Sequence, residues 1–449
     1  MKPYSELHRP QFHFSAEENW INDPNGLVYN NGIWHLFFQH NPESPTWGNM
    51  TWGHAQSKDL IHWQQLEHAL YPDEMGSMFS GSAVVDYANT AGFGAGALLI
   101  FYTAAGTYAD PVKPFTQCLA YSVDNGQQWQ KYSGNPIINW IEADNRDPKV
   151  TWHEQSRKWI MALYLNDDRY CLLSSEDARD WRKIQELVLE GDSECPDFFP
   201  LVDTSGTERW VFWAASGQYM VGSFDGEKFT PETNVQIGEQ GHNGYAAQTW
   251  TNVPDGRCIQ ISWMAGGLFP EMPFNQQLSI PVELKLIGSG DDVVLAREPI
   301  RELAVLRGRS ISVTSQIIVP GDPFIVDTKA KLLDVSLTIS KQNSKALYIA
   351  LRGQVIEFNW VDAQFRFGNS NPHKLNTVRN PIALPDGPQL SLRLVVDLTS
   401  FEIFINEGGI SASFCYLPDG YIHPLALYSS DGDQVLDNFE LHELRSSWE

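Results

Sequence analysis

The chain is short of cysteine, of positive charge and of long apolar runs, and each shortage closes off a class of protein. Five cysteines, at positions 118, 171, 195, 258 and 415, are scattered over 449 residues without a C-x-x-C pair. An odd, dispersed set of this kind argues against a disulfide framework and fits reduced thiols. Only 31 Lys and Arg stand against 55 Asp and Glu, for a formal net charge of −24. No nucleic-acid partner and no anionic-membrane partner is expected of such a surface. No apolar run reaches membrane-spanning length, and the N-terminal stretch MKPYSELHRPQFHFSAEENW lacks the apolar centre of a signal peptide. A cytoplasmic location is therefore expected of the chain as it stands, and a secreted one only if a leader has been removed. The histidines form no H-E-x-x-H or similar spacing, so neither a catalytic metal nor a cofactor is expected.

Aromatic residues and turn formers are what the chain has in excess: 16 Trp, 16 Tyr and 23 Phe, with 34 Gly and 26 Pro. That mixture suits many short strands joined by turns, and the length suits two domains. Internal repetition then gives the first 300 residues an architecture. A Ser-x-Asp tip followed by an aromatic recurs at Ser57/Asp59/Trp63, Ser122/Asp124/Trp129, Ser175/Asp177/Trp181 and Ser223/Asp225/Phe229. Apolar, aromatic-rich runs occur five times, as IWHLFF, ALLIFY, KWIMAL, RWVFW and CIQISW. About a dozen residues before each of these lies another strand-like segment: NGLVY, GSAVV, DPKVTW, DFFPLV and AAQTW. Five repeats that each open on two strands predict an all-β fold, a five-bladed β-propeller over residues 1–295. Residues 296–308 (AREPIRELAVLRG) read as a short helical linker. Beyond them, runs such as KLLDVSLTIS and LSLRLVVDL alternate apolar with polar, which predicts a C-terminal β-sandwich over 309–449.

The stretch WINDPNG at 20–26 reads locally as a turn, because Asp-Pro and Asn-Gly are both turn-forming pairs. The propeller gives it a second meaning. The first strand of each blade lines the central axis, so the residues that open those strands converge. In this chain they are polar: Asn22-Asp23, Phe79-Ser80-Gly81, Arg146-Asp147, Glu194 through Asp197, and Tyr245 through Gln248. Several acids distant in sequence would then share one funnel, which is costly unless function requires it. Two carboxylates flanking a cavity are the equipment for glycoside cleavage. Trp47, Phe79 and Trp263 suit the apolar walls of a sugar site. Cys195 adjoins Glu194, but no histidine motif supports a thiol nucleophile.

WINDPNG, FSGSAVVD (79–86), RDPKV (146–150), ECPD (194–197) and YAAQTW (245–250) follow one another in this order. In combination they resemble the motifs of glycoside hydrolase family 32, the invertases, exo-inulinases, levanases and fructan exohydrolases. WGNMTWGHAQSKDLIHW (47–63) and QQLSIPVEL (276–284) add to the resemblance, which covers about residues 8 to 300 and extends more loosely into the β-sandwich. It implies Asp23 as nucleophile, Glu194 as general acid/base and Asp147 as transition-state stabiliser. It further implies that Asn22, Gln39, Trp47, Phe79, Ser80, Arg146, Tyr245 and Trp263 bind a terminal fructosyl unit. The expected partner is a fructose-containing saccharide; the oligomeric state is left open. The expected activity is retaining, exo-acting hydrolysis of sucrose, fructo-oligosaccharides, inulin or levan. A fructosyltransferase using the same covalent intermediate and a non-catalytic fructan-binding protein are the alternatives. Two residues depart from the family pattern. Ser193 stands where Trp is common, and Val282 stands where Arg is usual, which puts the shape of the subsites in doubt.

Overall fold

In the computed structural model the described residues are 4–342, 344–369, 376–377, 384–385, 387–420 and 422–448. The others fall at the termini and inside the expected β-sandwich, and that part of the expectation lies outside the described residues. Five small sheets, antiparallel except for one parallel pair in the first, make the propeller. Their innermost strands are Asn19–Asn30, Ser77–Asp86, Arg146–His153, Asp197–Val202 and Gly244–Thr249, and neighbouring innermost strands pack on one another around the axis. The ring is closed by a strand from the last blade: Phe274–Asn275 pairs in parallel with Asn19–Trp20 of the first.

The apolar runs found in the sequence are the second strands, and they are buried on both faces because each blade is covered by its neighbours. The Ser-x-Asp repeat is the turn between the third and fourth strands. In the first three blades the serine Oγ donates to the aspartate Oδ1 at 3.1, 2.7 and 3.1 Å. In each of them the tryptophan Nε1 caps a backbone carbonyl three residues upstream. Phe229 replaces the tryptophan in blade four and is fully buried.

Residues 296–299, read as linker from the sequence, are strand instead. Val294–Pro299 pairs with Val282–Ile287 as the outer edge of blade five. The charged AREP run misleads because the partner of its arginine lies far along the chain: Arg297 is buried in the strand and paired with Glu239. Helical character is confined to a 3₁₀ turn at Arg301–Leu306. From Arg307 onward two six-stranded sheets face one another over a core that includes Leu337, Ile349, Phe358, Leu392, Phe401 and Phe439. Among the described residues no helix is long and apolar enough to cross a membrane.

The two halves are joined by buried polar contacts. His13 sits between Asp397 and Glu402, with its ring nitrogens 2.8 Å from each carboxylate. Arg297 Nη1 donates to Glu239 Oε2 at 2.7 Å and to Ser411 Oγ at 3.0 Å.

Candidate active site

WINDPNG is not a turn. It lies inside the continuous strand Asn19–Asn30, and the turn-forming residues serve to bend that strand. The register against Ile33–Asn41 slips between Ile21 and Pro24, so Asn22 and Asp23 together face one residue. That is a β-bulge, and it re-aims a side chain without ending the sheet. The same device recurs around the ring. Register slips fall at Ser80 in blade two, at Asp147-Pro148 in blade three and at Ala246-Ala247 in blade five. Blade four reaches the same end differently, with Glu194 and Cys195 at φ of 59° and 35° just before the strand begins. Asp147 and Ala246 also have positive φ, 63° and 52°. Strained backbone of this kind persists where the surroundings over-determine it, and it clusters at functional sites.

The bulges open a cavity of about 330 Å³ at one end of the axis, near the small end of the range for ligand sites. All eleven residues singled out in the sequence line it: Asn22, Asp23, Gln39, Trp47, Phe79, Ser80, Arg146, Asp147, Glu194, Tyr245 and Trp263. Four more were missed, namely Thr107, Tyr108, Phe115 and Asp144. Three of them come from the loop GTYADPVKPF (106–115), which belongs to no repeat and carries no periodic signal. Tyr108, 55% exposed, packs edge-on to Trp47 and tilted against Phe79. Together the three rings form an aromatic wall.

Each acid is held in its own way. Asp23 receives Ser80 Oγ at 2.6 Å and Asn22 Nδ2 at 3.2 Å, and Trp20 Nε1 in turn fixes Asn22 at 2.9 Å. Burial pushes the Asp23 carboxyl above its ordinary pKa, with the Glu194 charge adding to the rise and the two hydrogen bonds opposing it. Asp147 is buried and accepts from the Cys195 backbone N–H at 3.1 Å. Burial raises it to about 7, against the pull of Arg146 and with the help of Asp23 and Glu194. Glu194 is the most open of the three, with a third of its side chain exposed. Arg146 Nη2 donates to its Oε1 and the Tyr245 hydroxyl to its Oε2, both at 2.6 Å. Arg146 also lies over the Tyr164 ring and stands 3.8 Å from Asp147, so one cation offsets two acids.

The Cys195 thiol is buried, 3.5 Å from Asp23 Oδ2 and 3.4 Å from Asp147 Oδ2. Burial and the surrounding carboxylates push its pKa well above the ordinary thiol value, so it stays protonated and is no nucleophile. Neither departure from the family pattern lines the cavity. Val282 is buried in the apolar core that also holds Ile259 and Leu284, where an aliphatic side chain is at home. Ser193 lies beside the site without facing it, its backbone carbonyl accepting from Ala215 N–H.

Beyond the acids the axis is shut. Lys149 Nζ donates to Thr249 O at 2.7 Å and sits 3.2 Å from Asp197 Oδ1. Thr249 N–H donates to Asp197 Oδ2 at 2.6 Å, and Ser82 Oγ bonds Pro148 O at 2.8 Å. Thr251 Oγ1 adds a bond to Ala83 O. These groups come from the innermost strands of four blades and their ends, and the side chains of Lys149, Asp197, Thr249 and Ser82 are buried. The cavity is blind.

A blind, aromatic-walled pocket in which separate carboxylates face one another at a propeller axis is the apparatus of a glycoside hydrolase. Residues 13–299 match the model of the glycosyl hydrolases family 32 N-terminal domain. The chain belongs to this family. It is 35% identical to a levanase of Bacillus subtilis, over 99% of this chain and 72% of that one. It is 30% identical to the extracellular exo-inulinase of Aspergillus niger, over 99% and 96%. Its fold superposes on the β-fructofuranosidase of Schwanniomyces occidentalis complexed with fructosyl-erythritol, with a TM-score of 0.89 and 25% identity, over 99% of each chain.

Proposed function

We propose that the enzyme is a retaining β-fructofuranosidase that removes terminal β-D-fructofuranosyl units from sucrose, fructo-oligosaccharides and fructans. The blind cavity carries this reading: a pocket closed below its acids admits a chain end and not the middle of a chain. The names of its relatives support hydrolysis over transfer. In the first step Glu194 gives its proton to the glycosidic oxygen as the bond to the anomeric carbon breaks, and Asp23 Oδ closes on that carbon. In the second, Glu194 takes a proton from water, the water oxygen attacks the anomeric carbon, and the Asp23 ester is released. Asp23 is aimed for attack by Ser80 and Asn22. Glu194 stands at the open wall, with a third of its side chain exposed. Asp147 accepts hydrogen bonds from sugar hydroxyls while Arg146 compensates the gathered charge.

A time course on sucrose, 1-kestose, inulin and levan tests the reading. Fructose is expected as the first product from each substrate that is cleaved, and methyl β-fructofuranoside as the product in added methanol. The α-anomer would overturn retention, and oligosaccharides appearing ahead of fructose would overturn exo action. Asp23→Ala and Glu194→Ala are each expected to lower kcat at least about 10²–10⁴-fold, the usual worth of a positioned acid/base.

A further inference from the structure

The far end of the propeller axis holds a second and larger cavity, of about 950 Å³, lined by the opposite ends of the innermost strands and by outer segments of blades three to five. The Lys149–Asp197–Thr249 group lies between the two cavities, so no chain threads from one to the other. Five aromatic side chains line the far cavity; Trp159, Phe199 and Trp250 are buried, and the other two, Tyr87 and Trp152, are pinned. Tyr87 is 63% exposed, with its hydroxyl accepting from Asn252 Nδ2 of blade five at 2.8 Å. Trp152 packs edge-on to Trp159 and donates Nε1 to Glu154 Oε2 at 2.6 Å. Rings held open by hydrogen bonds are preorganised platforms.

The charges around these rings are largely matched within the protein. Arg257 bonds Asp255 and Glu302 and stands 3.7 Å from Glu283. The carboxylate of Asp86 is taken up by Thr90 and Ala91. An anionic ligand would meet five lining carboxylates against three cations, a charged ligand at Arg257 or Asp86 would break the contacts just named, and an apolar one would desolvate them. A neutral polyhydroxyl ligand does none of these, because it stacks C–H faces on the rings and shares the remaining lone pairs and N–H groups. Arg157, in no ion pair among the described residues, offers further donors at the rim.

We infer that this cavity is a second saccharide site that holds a neutral β-fructan chain away from the catalytic pocket. The identity of the polymer rests on the fructosidase reading of the active site; the existence of a saccharide site does not.

The test uses the full chain carrying Asp23→Ala, run in native gels containing levan, inulin or dextran, with excess free fructose to fill the catalytic pocket. Retardation by levan or inulin is expected to persist under fructose. It should fall at least fivefold in apparent affinity when Tyr87→Ala or Arg157→Ala is added. Tyr87 is exposed, so the fold should survive its loss, and an unchanged thermal midpoint checks this. In the otherwise unaltered enzyme, Tyr87→Ala should raise KM for the polymer several-fold and leave kcat/KM on sucrose or 1-kestose within about twofold. Abolition of all retardation by fructose, or equal retardation of the Tyr87 and Arg157 variants, would overturn the site. Equal retardation by dextran would overturn its assignment to fructan. Failure of the fructosidase reading shows separately, as no fructose released from any substrate.

Discussion

Asp147 shows most plainly what the site costs the fold. Its carboxyl titrates at about 7 in the folded protein, against an ordinary value of 3.8. Below 3.8 it is protonated in both the folded and unfolded states and changes nothing. As pH rises towards 7 the unfolded chain ionises freely while the folded one resists, so stability is withdrawn across that interval and stays withdrawn above it. The loss is on the order of 4 kcal/mol, at about 1.4 kcal/mol per pKa unit. Asp147→Asn should therefore raise the thermal midpoint at pH 8 and leave it unchanged near pH 4, while lowering kcat by about 10²-fold or more. Thermal melts at the two pH values decide it; an unchanged midpoint at pH 8 would contradict the linkage. At this scale the sequence was informative. The three acids, with Asn22, Phe79, Ser80, Arg146 and Tyr245, were readable because they open repeat units and repetition points to the axis; Gln39, Trp47 and Trp263 open none and were assigned by the family resemblance. Tyr108 was not readable, since its loop has no counterpart in the other blades.

At the scale of the strand, the bulges set the chemistry, and they were not legible. Periodicity reports which residues alternate; register against a partner strand depends on a segment far along the chain. WINDPNG was therefore read as a turn, although its Pro and Gly are accommodated within a bent strand, with Gly26 at φ 54°. The AREP run was misread for a related reason, since an edge strand and a charged linker look alike locally. Gly81 offers a test of the bulged geometry. A Cβ there would meet the Phe101 carbonyl oxygen at 1.9 Å, and backbone in a neighbouring strand cannot step aside. Gly81→Ala should destabilise the protein by about 1–3 kcal/mol, the usual range for overpacking. It should also reduce kcat at least tenfold by drawing Ser80 away from Asp23. Urea unfolding and initial rates measure the two effects. Wild-type activity in this variant would show that Ser80 does not position Asp23.

For the whole molecule, the join between propeller and sandwich depends on pH. Burial alone would lower the pKa of His13, but Asp397 and Glu402 overcome burial and raise it from 6.5 to about 9. The stabilisation is fully present below 6.5 and is lost as pH rises through 9. Asp397, held below its ordinary value by His13 despite burial, sets the other limit, because its contribution disappears as pH falls below the carboxylate range. The contribution of this join, read as the difference in midpoint between wild type and His13→Ala, should be flat between these limits and decline beyond either. His13→Ala leaves two buried carboxylates without their cation and should cost about 3–5 kcal/mol. A melt series over pH with and without this substitution checks both statements; a variant with the wild-type alkaline decline would sink them.

The shut axis has a last consequence, for traffic. With no rear exit, the sugar released in the pocket must leave by the mouth through which the next chain end arrives. Cleavage and refilling therefore alternate at a single door, and a fructose that has not yet departed keeps the following substrate out. Product inhibition by fructose should be purely competitive, and on a long polymer each turnover should begin with a fresh entry rather than a slide of the same chain.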